Sequence, residues 1–289
     1  MMTHYAASAE RPDYSHRFHA GNIGDVWKHT AWWGLIEALK LDPRPLDILD
    51  CHGGSGEYTL NSTGEWTAGI GKLLAHGGGE ESALLAEYRA FISSFGMRGD
   101  RLTRYPGSPQ ILAHLRRPSD TGVCFEFDQA VYADLAASIG PSGLAARCGD
   151  GLAALSDFAA RASTDRQLLA LIDPPWNVKA DWQTIPRTVI ETHTKAPKAC
   201  LAIWYPIKSY TRVAAMLKTL RGAGLPLLTA DLITTPLELR RNRLNGSGVC
   251  IVNAPVSLAP KLAAAGAEIG RACATHAGFF EVREASSAG

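Results

Sequence analysis

The chain has 289 residues, of which 46% are hydrophobic and 20% are charged, as in a folded globular enzyme and unlike a disordered protein. Its 29 Lys and Arg residues balance 28 Asp and Glu residues, so a nucleic-acid partner would have to be held by a local basic patch. No run approaches the roughly 18 apolar residues of a membrane helix, and no apolar core of the signal-peptide type begins the chain, so we expect a cytoplasmic protein with no membrane partner.

The N-terminal part is predicted to be a short leader followed by a helix. Residues 1–13 are polar and are expected to be a flexible leader, with the folded domain spanning residues 14–289. Asp25 is expected to cap the helix, because apolar residues at helical spacing follow it. These apolar residues are Trp32, Leu35, Ile36 and Leu39.

The next segment, "PLDILDCHGGSG", has the pattern of a short buried strand that ends in a glycine loop. From residue 56 to about residue 118 there is little strand signal, and apolar residues instead recur at helical spacing. These residues are Leu84, Leu85, Tyr88, Phe91, Ile92 and Phe95. We therefore predict a mainly helical insert after the first strand, at about residues 58–105.

Strand-length apolar runs alternate with helical segments after the insert. The runs are "TGVCFEFD", "LLALIDPP", "ACLAIWYP", "PLLTADLI" and "SGVCIVNAP". Helical segments between them include "QAVYADLAASI" and residues 212–220. This alternation predicts an α/β fold with a mostly parallel central sheet, in which ligands bind at the carboxyl ends of the strands.

The cysteines are scattered through the chain and form no CxxC pair. They are Cys51, Cys124, Cys148, Cys200, Cys250 and Cys273. Several end apolar runs, so we expect free thiols in a reducing compartment. The His and Cys spacing supplies no evident metal site.

Acidic residues close the first two predicted strands and a further short strand-like segment in "RCGDGLAAL". Asp50 begins the spacing Asp-x-His-x-Gly-x-Gly, in which His52 replaces the first glycine of the dinucleotide fingerprint. Glu126 is placed where a nucleoside site holds ribose hydroxyls, and the Asp150 carboxylate could accept a hydrogen bond from an adenine amino group. An ordinary glycine turn, a surface acid and a helix cap remain the alternatives for these three features.

The stretch "LLALIDPPW" ends a buried strand on an acid, two prolines and an aromatic residue. Two successive prolines leave carbonyls without neighbouring amide donors. The Asp173 carboxylate and the Pro174 carbonyl could therefore both accept hydrogen bonds from one exocyclic amino group. Trp176 is expected to offer an exposed flat face on which a base stacks. A purely structural turn is the alternative.

Asp-Pro-Pro-aromatic resembles the motif of methyltransferases that act on the exocyclic amino groups of adenine and cytosine. The glycine loop, Glu126 and Asp150 resemble the S-adenosylmethionine site of the same enzymes. The resemblance implies a Rossmann-like class I methyltransferase fold that uses S-adenosylmethionine and no metal.

A narrower resemblance covers nearly the whole chain. The stretch "YSHRFHAGNIGDVWKHT" is similar to the N-terminal signature of the RlmJ family of 23S ribosomal RNA adenine-N6 methyltransferases. Further similar stretches follow in the same order: "TGEWTAGI", "YPGSP", "LIDPPWNVKADW", "IWYPI" and "NGSGVCIVNAP". The resemblance implies methylation of the N6 amino group of a specific adenine in 23S ribosomal RNA, by a protein that we expect to be a monomer.

The resemblance also implies roles for individual residues. Asp173 and Pro174 would be catalytic, and Asp173 would also border the cofactor. The remaining residues implied to line the cofactor site are His29, His52, Ser108, Glu126, Asp150 and Gly151. Those implied to face the substrate are Tyr14, His16, Lys28 and Trp176. A single His is more often a structural hydrogen-bonding group, and a Lys in a first helical turn is more often solvated.

Three positions depart from the family pattern. The glycine loop commonly has Ala where this chain has Gly53, and Ser55 is also a small replacement. The aromatic residue after the prolines is commonly Tyr where this chain has Trp176. The indole lacks the phenol hydroxyl and is larger, although it keeps a flat face.

Basic residues that could contact RNA occur at two places. Arg240, Arg241 and Arg243 surround a predicted flexible loop. The insert and the segment after it carry a second set, which comprises Arg98, Arg101, Arg104, Arg116 and Arg117. We predict that the two sets form the local patch that the neutral net charge demands, with a solvated basic loop as the alternative.

Three other functions remain open. A DNA amino-methyltransferase would carry the same Asp-Pro-Pro motif. A nicotinamide-dependent oxidoreductase would be expected to have a fuller glycine fingerprint and no use for that motif. A non-catalytic RNA-binding module would not need to keep Asp173, both prolines and an aromatic residue.

Overall fold

A computed structural model of the chain describes residues 16–76, 82–239, 244–274 and 281–286. The predicted leader, Tyr14, and the arginines at positions 240, 241 and 243 lie outside the described residues.

Twelve strands occur in the described part of the chain. They are β1 (Leu46–Asp50), β2 (Glu57–Thr59), β3 (Met97–Arg98), β4 (Arg101–Leu102), β5 (Arg104–Pro106), β6 (Thr121–Glu126), β7 (Ala145–Cys148), β8 (Gln167–Ile172), β9 (Cys200–Ile207), β10 (Leu227–Ile233), β11 (Gly246–Val252) and β12 (Glu281–Ser286). Eight of them form one sheet with the spatial order β12-β10-β11-β9-β8-β1-β6-β7.

Ten α-helices and two 3-10 turns accompany the strands in the described residues. The helices are α1 (His16–His19), α2 (Ile23–Leu39), α3 (Ile70–Ala75), α4 (Ala83–Gly96), α5 (Ser108–Leu115), α6 (Gln129–Ile139), α7 (Gly151–Ala160), α8 (Asp181–Lys195), α9 (Tyr210–Gly222) and α10 (Leu258–Cys273). None of these helices is long and apolar enough to cross a bilayer.

Five consecutive strands at one side of the sheet, β9, β8, β1, β6 and β7, run parallel. On the far side of β9, β11, β10 and β12 are joined antiparallel. The chain passes from β1 to β6 and β7 on one side and then returns to β8 on the other. The order therefore reverses between β1 and β8, which is where ligands bind in such sheets. This confirms the predicted mostly parallel, Rossmann-like α/β fold.

Helices cover both faces of the sheet, and each face has its own core. Helices α2, α4, α5, α6 and α10 contribute to the cluster on one face, and α7, α8 and α9 contribute to the other. Every residue of β8 is buried because it is covered from both sides, which explains its continuous apolar sequence.

The interval predicted to be helical contains α3 and α4, and the predicted stripe on α4 is largely buried. It also contains two antiparallel ribbons, β2 with β5 and β3 with β4, which the sequence analysis did not predict. Their strands have only two or three residues, too few to show an alternating pattern. The division of the chain into leader, domain and insert stays a prediction.

The start of α2 differs from the prediction. Asn22, and not Asp25, is the N-cap, and its side chain accepts a hydrogen bond from the Asp25 backbone N–H. Asp25 instead lies in the first turn, where it accepts the Gly21 N–H. Asn22 and Asp25 are both residue types that cap helices, and the extended backbone at Asn22 makes it the cap.

All six cysteines are free, as predicted. Five are buried in the two cores, and Cys148 at the end of β7 is exposed.

Candidate active site

The carboxyl edge of the parallel strands brings together most of the residues predicted to bind cofactor or substrate. They come from the ends of four neighbouring strands and from the starts of helices packed against them. His52 follows β1, Glu126 ends β6, and Asp173 follows β8. Lys28 and His29 lie in α2, Ser108 opens α5, and Gly151 opens α7.

Asp173 is held by a buried ion pair with Lys28. The Lys28 ammonium lies 2.6 Å from Asp173 Oδ2 and 2.7 Å from Asp25 Oδ1. Burial alone would lower the pKa of Lys28, but the neighbouring carboxylates of Asp173 and Asp25 raise it above its ordinary value. Lys28 is therefore a permanent cation that ties the first turn of α2 to the strand end of β8.

His52 fixes the backbone at the same point. Its Nδ1 accepts the Asp173 backbone N–H at 3.2 Å. Burial lowers the pKa of His52 to about 4, so the ring is neutral at physiological pH and its Nδ1 lone pair is available as an acceptor. The glycine loop after β1 and the Asp-Pro-Pro loop after β8 are joined by this hydrogen bond.

Replacing His52 with Asn should remove the loss of stability that His52 contributes as the pH falls from about 6.5 to about 4. The pKa of His52 is about 4 in the folded protein and about 6.5 in an unfolded chain. As the pH falls through this window, the unfolded chain gains a proton that the folded chain does not, so the free energy of unfolding decreases. Asn keeps an acceptor for the Asp173 N–H and does not titrate.

Urea unfolding of both proteins at a series of pH values gives the difference in their free energies of unfolding as a function of pH. Asp50, whose pKa is raised, contributes the opposite slope in both proteins and cancels. Parallel curves for the two proteins would show that His52 is not the group responsible.

Asp50 also lies at this edge, although no separate role for it was predicted from the sequence. It is fully buried, its Oδ2 accepts the Ser108 hydroxyl at 2.6 Å, and its Oδ1 accepts the His52 N–H at 3.2 Å. Burial raises its pKa to about 6, against the hydrogen bonds from Ser108 and His52. The sequence feature that could have identified Asp50 is an acid at the end of a predicted buried strand. Asp50 connects Ser108, at the start of α5, to the glycine loop.

Glu126 and Asp150 occupy adjacent strand ends. The half-buried Glu126 carboxylate accepts the Asp128 N–H on Oε1, and its backbone carbonyl accepts the Gly149 N–H. Asp150 caps α7 by accepting the N–H groups of the second and third helical residues on Oδ1. Capping was one of the two roles predicted for Asp150, and it does not exclude the other.

Close packing at this edge requires glycine at position 151. A Cβ atom there would lie 2.3 Å from the Cys51 backbone carbonyl, so the start of α7 touches the chain directly after β1. The glycine loop itself has left-handed backbone at Gly54 and Gly56. A loop without bulky side chains, flanked by Glu126 and Asp150, has the donor and acceptor set that suits a nucleoside cofactor.

Phe127 is a second residue at this edge to which no role was predicted from the sequence. It directly follows Glu126 and is exposed over 56% of its surface, which is unusual for phenylalanine. A flat apolar ring beside Glu126, at the carboxyl edge of the sheet, is suited to pack against a purine.

Trp176 does not present the exposed stacking face that was predicted. It is only 7% exposed, its ring packs on Trp182 with 4.2 Å between centroids, and its Nε1 donates to the Trp204 carbonyl. The left-handed φ of 53° at Trp176 turns the indole inward after the two prolines. The prediction took the residue after a proline turn to be solvent-facing, and backbone conformation overrides that expectation.

Pro174 is buried and Pro175 is exposed. The half-buried indole of Trp204 is the aromatic ring that lies beside the ion pair, with its centroid 5.7 Å from the Lys28 ammonium.

Arg116 and Arg117 are not available for the predicted basic patch. The Arg117 side chain donates to three backbone carbonyls of the turn before β1 and to Asp120. Arg116 donates to the carbonyls of Ser142 and Asp120. Both therefore stabilise the amino-terminal edge of the sheet, opposite the site.

The three insert arginines have two kinds of environment. Arg104 forms an ion pair with Glu57, whereas Arg98 and Arg101 are exposed on the β3–β4 ribbon. The backbone of His16 lies in α1, and Tyr14 lies outside the described part of the chain.

Known proteins resemble this chain over most of its length. The sequence model of the family described as ribosomal RNA large subunit methyltransferase D, RlmJ, matches residues 43–283. The curated protein ribosomal RNA large subunit methyltransferase J from Escherichia coli (strain K12) is 32% identical, covering 85% of this chain and 88% of the relative. The curated protein of the same name from Haemophilus influenzae is 31% identical, and again 85% of this chain and 88% of the relative are covered.

A solved structure shows the same fold. The protein LPL1258 from Legionella pneumophila superposes with a TM-score of 0.82 at 23% sequence identity, covering 93% of this chain and 98% of that one.

Proposed function

This chain belongs to the RlmJ family of large-subunit ribosomal RNA methyltransferases, and we propose that it transfers a methyl group from S-adenosylmethionine to the N6 amino group of an adenine in 23S ribosomal RNA. The observation that carries the proposal is the position of Asp173. Its carboxylate lies at the switch point of the sheet, beside the glycine loop, and is held by Lys28, while its backbone N–H donates to His52.

The cofactor would be held at the ends of β1, β6 and β7. Glu126 would accept hydrogen bonds from ribose hydroxyls, Asp150 would accept one from the adenine amino group, and Phe127 would pack on the purine. His29, His52, Ser108 and Gly151 would form the remaining wall. When bound, the cofactor supplies a methyl group that its sulfonium has already activated.

The residues of the chain would act on the target amine. That nitrogen is a poor nucleophile because its lone pair is delocalised into the ring. Hydrogen bonds to the Asp173 carboxylate and the Pro174 carbonyl would favour a pyramidal nitrogen and orient its lone pair, which is the main catalytic requirement. Lys28 would keep Asp173 ionised and in place, and Asp173 would take the proton released during or after transfer.

The base must leave its stack to reach Asp173. We propose that the ring then contacts Trp204, the half-buried aromatic residue beside Lys28, with Tyr14 and His16 approaching from the N-terminal segment. We also propose that the protein acts in the cytoplasm as a monomer, and that residues 14–289 form the methyltransferase domain with an insert at about 58–105.

Methyl transfer from labelled S-adenosylmethionine tests the function directly. Unmodified 23S ribosomal RNA should gain N6-methyladenosine, and double-stranded DNA should gain no label. Label in DNA but not in RNA would overturn the assigned polymer, and label in neither would overturn the function. Mapping ribosomal RNA from cells that lack the protein would then identify the adenine.

Reversing the charge of Lys179 and Lys208 together should weaken RNA binding and reduce its salt dependence. Both residues are exposed, and they lie in the segments that follow β8 and β9 at the carboxyl edge. If each contacts a phosphate, the slope of log K against log salt should fall by about 2. Affinity measured between low and moderate salt gives this slope.

Lys218→Glu is the matched control, because Lys218 is an exposed lysine near the end of α9. An equal effect of this control would indicate general electrostatic attraction, and an unchanged slope in the double variant would remove both lysines from the RNA interface.

A further inference from the structure

Three aromatic side chains form a buried hydrogen-bonded chain behind the cofactor site. His29 Nδ1 lies 2.8 Å from the Tyr105 hydroxyl, which lies 2.8 Å from the Tyr88 hydroxyl. The His29 and Tyr105 rings stack with 5.5 Å between centroids and 26° between planes. All three side chains are at most 2% exposed. We call these three residues the relay.

The direction of the protons in the relay follows from counting donors. Burial raises the pKa of both Tyr88 and Tyr105 well above the ordinary value, so both hydroxyls keep their protons. Within the described residues, Tyr105 is the only hydrogen-bond partner of the Tyr88 hydroxyl. If His29 donated to Tyr105 and Tyr105 to Tyr88, the Tyr88 proton would be buried without an acceptor, which is costly.

If the protons point the other way along the relay, both tyrosine hydroxyls have an acceptor. Tyr88 donates to Tyr105, and Tyr105 donates to His29 Nδ1. The neutral ring of His29 then carries its proton on Nε2, which makes that nitrogen a hydrogen-bond donor.

We propose that Tyr105 is a positioning residue that fixes the orientation and the tautomer of His29, so that Nε2–H is presented as a donor to an acceptor group of the cofactor. The proposal rests on the proposed function, because it takes His29 to line the cofactor site. His29 directly follows Lys28, whose ammonium holds Asp173. The relay and the ion pair therefore fix successive residues of α2.

Through the relay, two residues of the insert contact a residue of the candidate cofactor site. Tyr88 lies in α4 and Tyr105 in β5, both within the segment between β1 and β6. Phenylalanine at either position would fill the same space, so packing alone does not require the hydroxyls. The insert therefore supports a cofactor-binding residue from behind.

The unaltered protein provides the first test. Nitrogen-15 NMR of the histidine side chains, assigned by comparison with His29→Gln, should show His29 as the neutral Nε2–H tautomer. The Nδ1–H tautomer would overturn the proposal.

Tyr105→Phe provides the second test, because it removes the donor and keeps the ring. Calorimetric titration with S-adenosylmethionine should show a Kd about three- to tenfold higher, and the His29 nitrogens should shift towards a mixture of tautomers. In Tyr88→Phe the Tyr105 donor remains, so the tautomer should persist and the Kd should change less than twofold.

Tyr210→Phe is the matched control, since Tyr210 donates its hydroxyl to Asp231 outside the relay. It should leave the Kd and the His29 signals unchanged. Unchanged affinity in Tyr105→Phe, or weakened affinity with an unchanged tautomer, would overturn the positioning role. Failure of the unaltered protein to bind S-adenosylmethionine would instead overturn the proposed function.

Discussion

Asp173→Ala should abolish most methyl transfer while leaving the cofactor bound. In the proposed mechanism the variant loses the group that orients the target amine and takes its proton, which predicts a fall in kcat of about a thousandfold. The cofactor contacts at the ends of β1, β6 and β7 would remain. Single-turnover transfer to 23S ribosomal RNA, together with the Kd for S-adenosylmethionine, measures both parts of this prediction.

Asp173→Asn is the informative companion variant. It keeps the size of the side chain and one acceptor oxygen, but it loses the charge that pairs with Lys28. An intermediate rate would separate orientation of the amine from acceptance of its proton. Turnover by Asp173→Ala at the normal rate, with the fold intact, would remove Asp173 from catalysis.

Lys28→Met should destabilise the protein and impair catalysis together. The Lys28 ammonium separates the carboxylates of Asp25 and Asp173 and is only 7% exposed. Its removal takes the ammonium away from two poorly solvated acids, which predicts a loss of about 3–5 kcal/mol in the free energy of unfolding. The rate should also fall by about a hundredfold, because Asp173 is no longer held in place.

Lys40→Met provides the comparison, since Lys40, the C-cap of the same helix, pairs with Glu37 in a more exposed position. Its effect on stability should stay within about 0.5 kcal/mol. Adding Asp25→Asn to Lys28→Met should recover part of the stability, because one of the two opposed charges is removed. If Lys28→Met unfolds at the same urea concentration as the unaltered protein, the ion pair does not stabilise the fold.

The sequence predicted the parallel sheet and the strand ends that carry the site, because these depend on local patterns. Continuous apolar runs mark strands covered on both faces, and an acid at the end of such a run lies at the carboxyl edge. Asp173 could be placed in this way, because it follows the fully buried β8. Glu126 and Asp150 follow β6 and β7, which are only partly buried, and were placed from the acid after each strand-like segment. The role of Asp50 needed the structure, because its partner Ser108 is distant in sequence.

Other features depended on contacts that no local pattern encodes. The inward turn of Trp176 comes from its backbone conformation and from packing on Trp182. Arg117 looked like a basic surface residue, yet its guanidinium binds backbone carbonyls from a different part of the chain. The link from Tyr88 and Tyr105 to His29 joins residues that belong to different elements and show no common spacing.

The pairing of β1 with β8 has a consequence for how the protein folds. Residue 46 lies beside residue 167, so the two strands that frame the active site meet only after the whole intervening segment has been synthesised. Such distant pairing slows folding, and until it occurs one edge of β1 has no partner. A nascent chain that stops before β8 would expose an apolar strand edge to other chains, so we expect aggregation to compete with folding at that stage.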